Sequence, residues 1–262
     1  MAKRIFTAVV FTLTALVAAL PGQADTTIRL DGSPNAANAV IQVKNNMARL
    51  TQASQPAYVL YDKTRDVAIY VDTAKRTYTE IDQQTLKGYA GMASAMRDQL
   101  QMLPPAQRAL LEERMGGMLG LPEGGLPELD ELQTLARGNR TIAGFHCRLY
   151  ALLKARQPIG DVCLSSAAEA GVSPADFATL MAMMDFLRHA AGTAQELTGG
   201  LIESTRLLLS GLPGVPVAAR DYQSRQQFMV AGVSGQPLDA GLFIGYRGYR
   251  QQNLLEAIPL GR

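Results

Sequence analysis

The stretch Thr141–Leu164, TIAGFHCRLYALLKARQPIGDVCL, decides how the rest of this chain is read. It reads as two strands joined by a turn at Gln157-Pro158-Ile159-Gly160. In the first arm Phe145, Cys147, Leu149, Ala151 and Leu153 fall on one side at period two. His146, Arg148, Tyr150, Leu152 and Lys154 fall on the other. A mostly apolar side against a mixed one is the pattern of a half-buried strand. Pro158 and Gly160 supply the chemistry of a turn. The segment also holds both cysteines. Folding it about residue 155 sets Cys147 opposite Cys163, near enough for a disulfide. Such a bridge would add roughly 3 kcal/mol by restricting the unfolded chain. Two separate buried thiols, packed as small hydrophobes, are the alternative. His146 points away from Cys147, His189 falls in a helical segment, and there is no CxxC pair. Neither a zinc site nor a thioredoxin-like redox motif is expected.

A disulfide needs an oxidising compartment, and the chain opens with an address for one. In MAKRIFTAVVFTLTALVAALPGQADT, Lys3 and Arg4 form a basic start, Ile5 to Leu20 is an uncharged apolar run, and Pro21 breaks it. Small residues at Gly22 and Ala24 fit a signal-peptidase site, so residues 1–24 are expected to be a signal peptide cleaved after Ala24. The run is shorter than the ~20 residues that span a bilayer. A retained anchor is the alternative. No cysteine follows the run, which excludes a lipobox. Residues 25–262 are expected to be periplasmic or secreted and not membrane-spanning after cleavage. Cleavage removes Lys3 and Arg4 and leaves 23 basic against 23 acidic residues. With no balance of positive charge and no basic run, nucleic acid is not an expected partner.

Outward from the hairpin, Thr26 to Ile81 reads as a run of strands. Ile28 and Leu30 begin an edge strand, and AYVLY (57–61), DVAIYV (66–71) and TYTEI (77–81) follow at close turn spacing. Val, Ile, Tyr and Thr in this pattern favour an antiparallel meander. Asp82 looks like a helix cap, and Leu86, Tyr89, Ala93, Met96, Leu100 and Leu103 form one helical stripe. Pro104-Pro105 ends it and starts a second helix bearing Leu110, Leu111 and Met115. GGMLGLPEGGLP (116–127) reads as a linker, and Leu129 to Leu135 as a short helix. After Cys163, Ser173-Pro174-Ala175-Asp176 has the order of a helix start. Phe177, Leu180, Met181, Met184 and Leu187 then make a second stripe, with Gly192 as its stop. Ile202 to Ser210, Val215 to Tyr222 and Gln226 to Val233 read as strands. A short strand or turn is expected near Leu242-Phe243.

Helices grouped apart from an antiparallel sheet give an α+β class. The expected architecture is a curved antiparallel sheet, a half-open barrel, with helices covering one face. Residues 25–262 form one domain with a helical, Gly-rich insertion at about 82–136.

Catalytic strings are missing. Gly232-Val233-Ser234-Gly235-Gln236 breaks GxSxG at its last position, and HExxH, a P-loop and GxGxxG do not occur. Asp62, Asp66, Asp72 and Glu80 fall at hairpin turns and read as turn formers. No enzyme, cofactor or metal is expected.

The tracts VKNNMARLTQ, YVLYDKTRDVAIYVDTAKRTYTEID, TIAGFHCRLYAL and GVPVAARDYQSRQQFMVAGVS resemble an uncharacterised family of exported bacterial proteins, a domain of unknown function. The resemblance covers most of residues 38–250. It implies, by analogy of architecture, the half-open sheet of the outer-membrane lipoprotein-sorting carriers. Leu242-Phe243-Ile244-Gly245-Tyr246 keeps the family's Phe and Gly-Tyr but lacks its proline, so the last strand is free to lie differently. The family implies no functional residues.

The resulting expectation is a non-catalytic periplasmic protein that binds an apolar small molecule, a lipid or a lipidated partner. Val59, Tyr61, Ile69, Phe145, Leu149, Phe228 and Val230 would line the concavity, and helices 83–103 and 174–191 would lid or fill it. A closed dry core is the other reading of these side chains. The rival function is an envelope protein-interaction, stress-sensing or chaperone module that uses the Met-rich insertion 86–127 as an adaptable surface.

Overall fold

A computed structural model describes residues 25–32, 38–53, 55–88, 99, 102–104, 107, 133–194, 212–222 and 225–253. The expected signal peptide, the second helix of the insertion, the 116–127 linker and the 202–210 strand lie outside these residues.

Among the described residues, twelve strands form one sheet. Six come from the first part of the chain: β1 (Thr26–Gly32), β2 (Ala39–Lys44), β3 (Met47–Gln52), β4 (Ala57–Asp62), β5 (Val67–Asp72) and β6 (Thr77–Asp82). Five more follow: β7 (Gln133–Ile142), β8 (Phe145–Lys154), β9 (Gln157–Ser165), β10 (Val215–Asp221) and β11 (Gln227–Ser234). The short β12 (Arg250–Gln251) closes the series. The spatial order is β12-β6-β5-β4-β3-β2-β1-β11-β10-β9-β8-β7. Two meanders, β1–β6 and β7–β11, therefore join at the antiparallel β1–β11 pair. Among the described strands, β12 alone runs parallel to its neighbour, β6. β1 was expected at an edge. It lies in the middle of the sheet, because β11 supplies the second set of backbone partners.

The first meander follows its sequence closely. β2, β3 and β6 alternate between buried and half-buried residues, as a strand with one inward side must. Asn45 and Asn46 turn β2 into β3 with φ of 48° and 64°, a conformation asparagine tolerates better than most residues. Asp62 and Asp72 accept turn N–H groups from Thr64 and Lys75 at 3.0 and 2.9 Å. These aspartates are turn formers, as their positions suggested.

The cysteine hairpin departs in detail. Its turn is Ala155-Arg156, with φ of 48° and 65°, and Lys154 pairs with Gln157. Gln157 to Gly160 belongs to β9. A two-residue loop with both φ positive matches the twist of the flanking strands better than a longer turn. Pro158 is tolerated because it lies beyond the last β9–β10 pair, next to a bulge that leaves Ile159 as the extra residue. The turn, centred between 155 and 156, and the bulge each move the register by one residue, so Cys163 faces Leu149 and not Cys147. The Cys147–Cys163 disulfide forms on the diagonal, with Cα atoms 5.5 Å apart, inside the range a bridge requires.

Residues 133–135, expected at the end of a helix, begin β7 instead. Its pairing with β8 outweighs the local preference of a short apolar run. Helix α1 (Pro174–Ala194) starts as expected: Asp176 N donates to Ser173 Oγ at 3.1 Å. It runs through Gly192 rather than stopping there. Leu180, Met184 and Leu187 are buried, and Met183 and Phe186 widen the inward side. At the far end, Leu242-Phe243 is a helical turn, α2 (Gly241–Ile244), followed by a 3-10 turn at Gly245–Gly248. No strand forms there, because Phe243 and Tyr246 are drawn into a buried cluster that helical spacing reaches and extended spacing does not.

Candidate functional site

The strand register sorts the side chains into two sides. On the helix side, Val59 neighbours Leu50, Leu50 neighbours Ile41, and Ile41 neighbours Ile28. Across the seam, Leu30 meets Val230, Phe228 meets Ala219, Ala219 meets Val162, and Val162 meets Tyr150. All these residues belong to the main core or pack against it. α1 rests on β2 and β3. Two specific contacts fasten it. Thr26 Oγ1 donates to Asp176 Oδ2 at 2.6 Å in a buried site, and the Phe186 ring lies 5.5 Å from that of Tyr61.

Four of the seven expected lining residues share this side: Val59, Tyr61, Phe228 and Val230. Tyr61 also donates its hydroxyl to Asp66 at 2.8 Å. Burial, then that hydrogen bond and the charge of Asp66, push its phenol well above the usual tyrosine range. Ile69 does not join them. It pairs with Leu60, and both lie on the opposite side under Phe243 and Tyr246. Phe145 and Leu149 share the side of Cys147, one residue out of step with Tyr150, and are half-buried against the main core. A one-residue difference in counting sends a side chain to the other side of a sheet. Sequence reasoning passed over Ile28, Ile41, Val43 and Ile81, although their alternation with polar residues was visible. It also passed over Thr77 and Thr79, whose polarity hid their inward position on β6.

The opposite side carries charge at its rim. Arg65 donates to Asp62 at 3.0 Å and to Glu80 at 3.0 and 3.1 Å, and these hydrogen bonds raise its pKa. Asp25 accepts from Lys44 and from Leu238 N, each at 2.6 Å, which ties the C-terminal segment to the start of β1. Among the described residues no group of three or more His, Cys, Asp and Glu side chains could hold a metal ion. No described helix is long and apolar enough to cross a membrane.

A second surface lies at β7, the end strand of the sheet among the described residues. Every residue of β7 but Ile142 is exposed, and Leu135 is 47 % exposed. Arg137 bulges between Ala136 and Gly138, whose φ is 98°.

No protein-family model matches the chain, and no curated protein matches it. Among solved structures, an uncharacterised conserved protein from Thermus thermophilus aligns with a TM-score of 0.41 at 4 % identity, over 88 % of this chain and 91 % of that one. PNGF-II aligns in two crystal forms. The C2 form gives a TM-score of 0.39 at 8 % identity over 87 % of this chain, and the P21 form 0.40 at 7 % over 89 %. The alignments span 30 % and 32 % of the PNGF-II chain. Overlaps of this size establish neither a family nor a function.

Proposed function

We propose that this chain is an exported, non-catalytic carrier that holds a lipid or a lipidated partner on the helix side of its sheet. The observation that carries the proposal is the breadth of that apolar side. It runs from Ile81 on β6 to Val162 on β9, eight strand spacings, or roughly 38 Å at about 4.8 Å each. α1, about 10–12 Å across with its side chains, contacts β2 and β3. Ile81, Val59 and Val162 are nevertheless 5, 6 and 0 % exposed. A sheet curled toward the helix, with helices completing the cover, would bring such distant strands within reach of one another. That is the half-open barrel implied by the resemblance to the exported family and to lipoprotein-sorting carriers. The Cys147–Cys163 bridge supports an oxidising compartment, and the signal peptide at 1–24 supplies the route to a periplasmic or secreted location.

The test is solvent extraction of purified native protein, followed by mass spectrometry and titration with an apolar fluorescent probe. Co-purified acyl lipid, or saturable probe binding, is the expected result. Protein free of lipid that binds no probe would leave a closed dry core and end the carrier reading.

A second reading rests on β7. An edge strand with unpaired backbone groups and exposed flanks is a template for a partner's strand. In that case the molecule is an envelope interaction module. A photo-crosslinking residue at Leu135 would then yield one discrete adduct in envelope extract, and a diffuse or absent adduct counts against it.

A further inference from the structure

On β6 the residues on the helix side are Thr77, Thr79 and Ile81. They are buried in alternation with half-buried Tyr78, Glu80 and Asp82. Ile81 belongs to the main core, whereas Tyr78 packs against the cluster on the other side. Thr77 is 3 % and Thr79 1 % exposed, and neither Oγ1 has a hydrogen-bond partner. Ser165 Oγ, on β9, is also buried without a partner, whereas two other buried threonines have one. Thr26 Oγ1 donates to Asp176, and Thr179 Oγ1 donates to the carbonyl of Ala175. A buried hydroxyl without a partner opposes folding, and native proteins rarely retain two side by side without a use.

We propose that Thr77 and Thr79 form a hydrogen-bonding subsite on the helix-side face, and that the ligand held there is an acyl chain ending in a neutral ester group. This rests on the carrier reading above. The apolar side accounts for the chain, and the hydroxyls account for the head. Residues two apart on a strand place their side chains about 6.8 Å from one another on the same side. One carbonyl cannot meet both hydroxyls. An acyl ester of a polyol can, with its carbonyl at one threonine and a second oxygen at the other. Charge then selects the neutral ester over a free fatty acid. Strand pairing sets Asp72 beside Thr77 and Tyr70 beside Thr79. This side of β5 and β6 therefore presents Ala68, Tyr70, Asp72, Thr77, Thr79 and Ile81, and its one carboxylate, Asp72, is already paired with Lys75 of the intervening turn at 3.3 Å. A carboxylate head would have to compete with Asp72 for Lys75, whereas an ester oxygen needs only a donor.

The experiment displaces N-phenyl-1-naphthylamine from the full exported protein with 1-monooleoylglycerol and, in parallel, with 1-octadecene. The wild type should prefer the monoacylglycerol. The double variant Thr77→Val/Thr79→Val, nearly isosteric and without hydroxyls, should lose that preference by about tenfold while keeping its affinity for octadecene. Thr79→Ser, which retains a hydroxyl, should keep the preference. If the double variant does not fold, Thr79→Val alone reads the same ratio. A wild type that binds both ligands, with a ratio unchanged in the variants, overturns this inference and leaves the carrier standing. A wild type that binds neither overturns the carrier and the subsite together.

Discussion

Thr26 and Asp176 stand 150 residues apart and share a buried hydrogen bond of 2.6 Å. The pair joins the first strand to the first turn of α1, and a carboxylate at that depth depends on its donors. Thr26→Val keeps the shape and removes the donor. It should cost about 1–3 kcal/mol, read as a lowered urea midpoint with an unchanged m-value. An unchanged midpoint would show the contact to be idle. Asp82 shows the same logic at a half-buried position. It accepts from Thr85 N at 2.6 Å, and hydrogen bonds to Thr85 hold its carboxyl below the usual 3.8. The charged form is the one favoured by folding. Its contribution is therefore present above pH 3.8 and fades as pH falls through the lower folded value. Asp82→Ala should lose about 1 kcal/mol at neutral pH, with the deficit shrinking as the acid range is entered. A deficit constant with pH would separate the cap from its charge. Asp82 as a cap could be read in advance, since its partner lies three residues away. The Thr26–Asp176 bond could not, because no local pattern relates the two positions.

At the scale of elements, the cysteine hairpin shows how little a turn need resemble its consensus. Ala155 and Arg156 both adopt positive φ, which side chains with a Cβ resist. Replacing them with Asn-Gly should raise stability by about 0.5–1 kcal/mol, seen as a higher thermal midpoint with the disulfide intact. A fall would mean that these side chains make contacts the backbone preference does not outweigh. The two strands and their inward alternation were legible because period two is written along the chain. The bulge at Ile159 was not, since it is set by how β9 meets β8 and β10 together. β7 makes a similar point. Its apolar residues are too few to announce a strand, and pairing with β8 decides the matter.

At the scale of the molecule, the second half of the chain grips the first. α1, from after β9, rests on β2 and β3. The segment after β11 crosses to the opposite side, where Phe243 and Tyr246 cover Leu60, Ile69 and Val71, and β12 pairs with β6. The two meanders share one ladder, β1 with β11, so these crossings reinforce a single seam. Phe243, 3 % exposed, is the largest apolar side chain the C-terminal segment buries there. Phe243→Ala should cost about 3–5 kcal/mol and increase hydrogen exchange in β4 and β5. Loss of stability without faster exchange in those strands would assign the effect elsewhere.

The amino-acid sequence by itself determined most strands of both meanders, the aspartate turns, the start of α1 and the identity of the bridged cysteines. Each follows from interactions within a few residues, or from there being two thiols to pair. Tertiary structure alone decided that β1 is central and that Ile69 faces away from Val59 and Tyr61. It also decided that Phe145 and Leu149, in step with Cys147 as their spacing required, are out of step with Tyr150, and that a helical turn closes over the second cluster. The physical reason is parity. A strand's two sides differ by one residue, so a bulge or a pairing made by a distant segment reassigns every side chain beyond it.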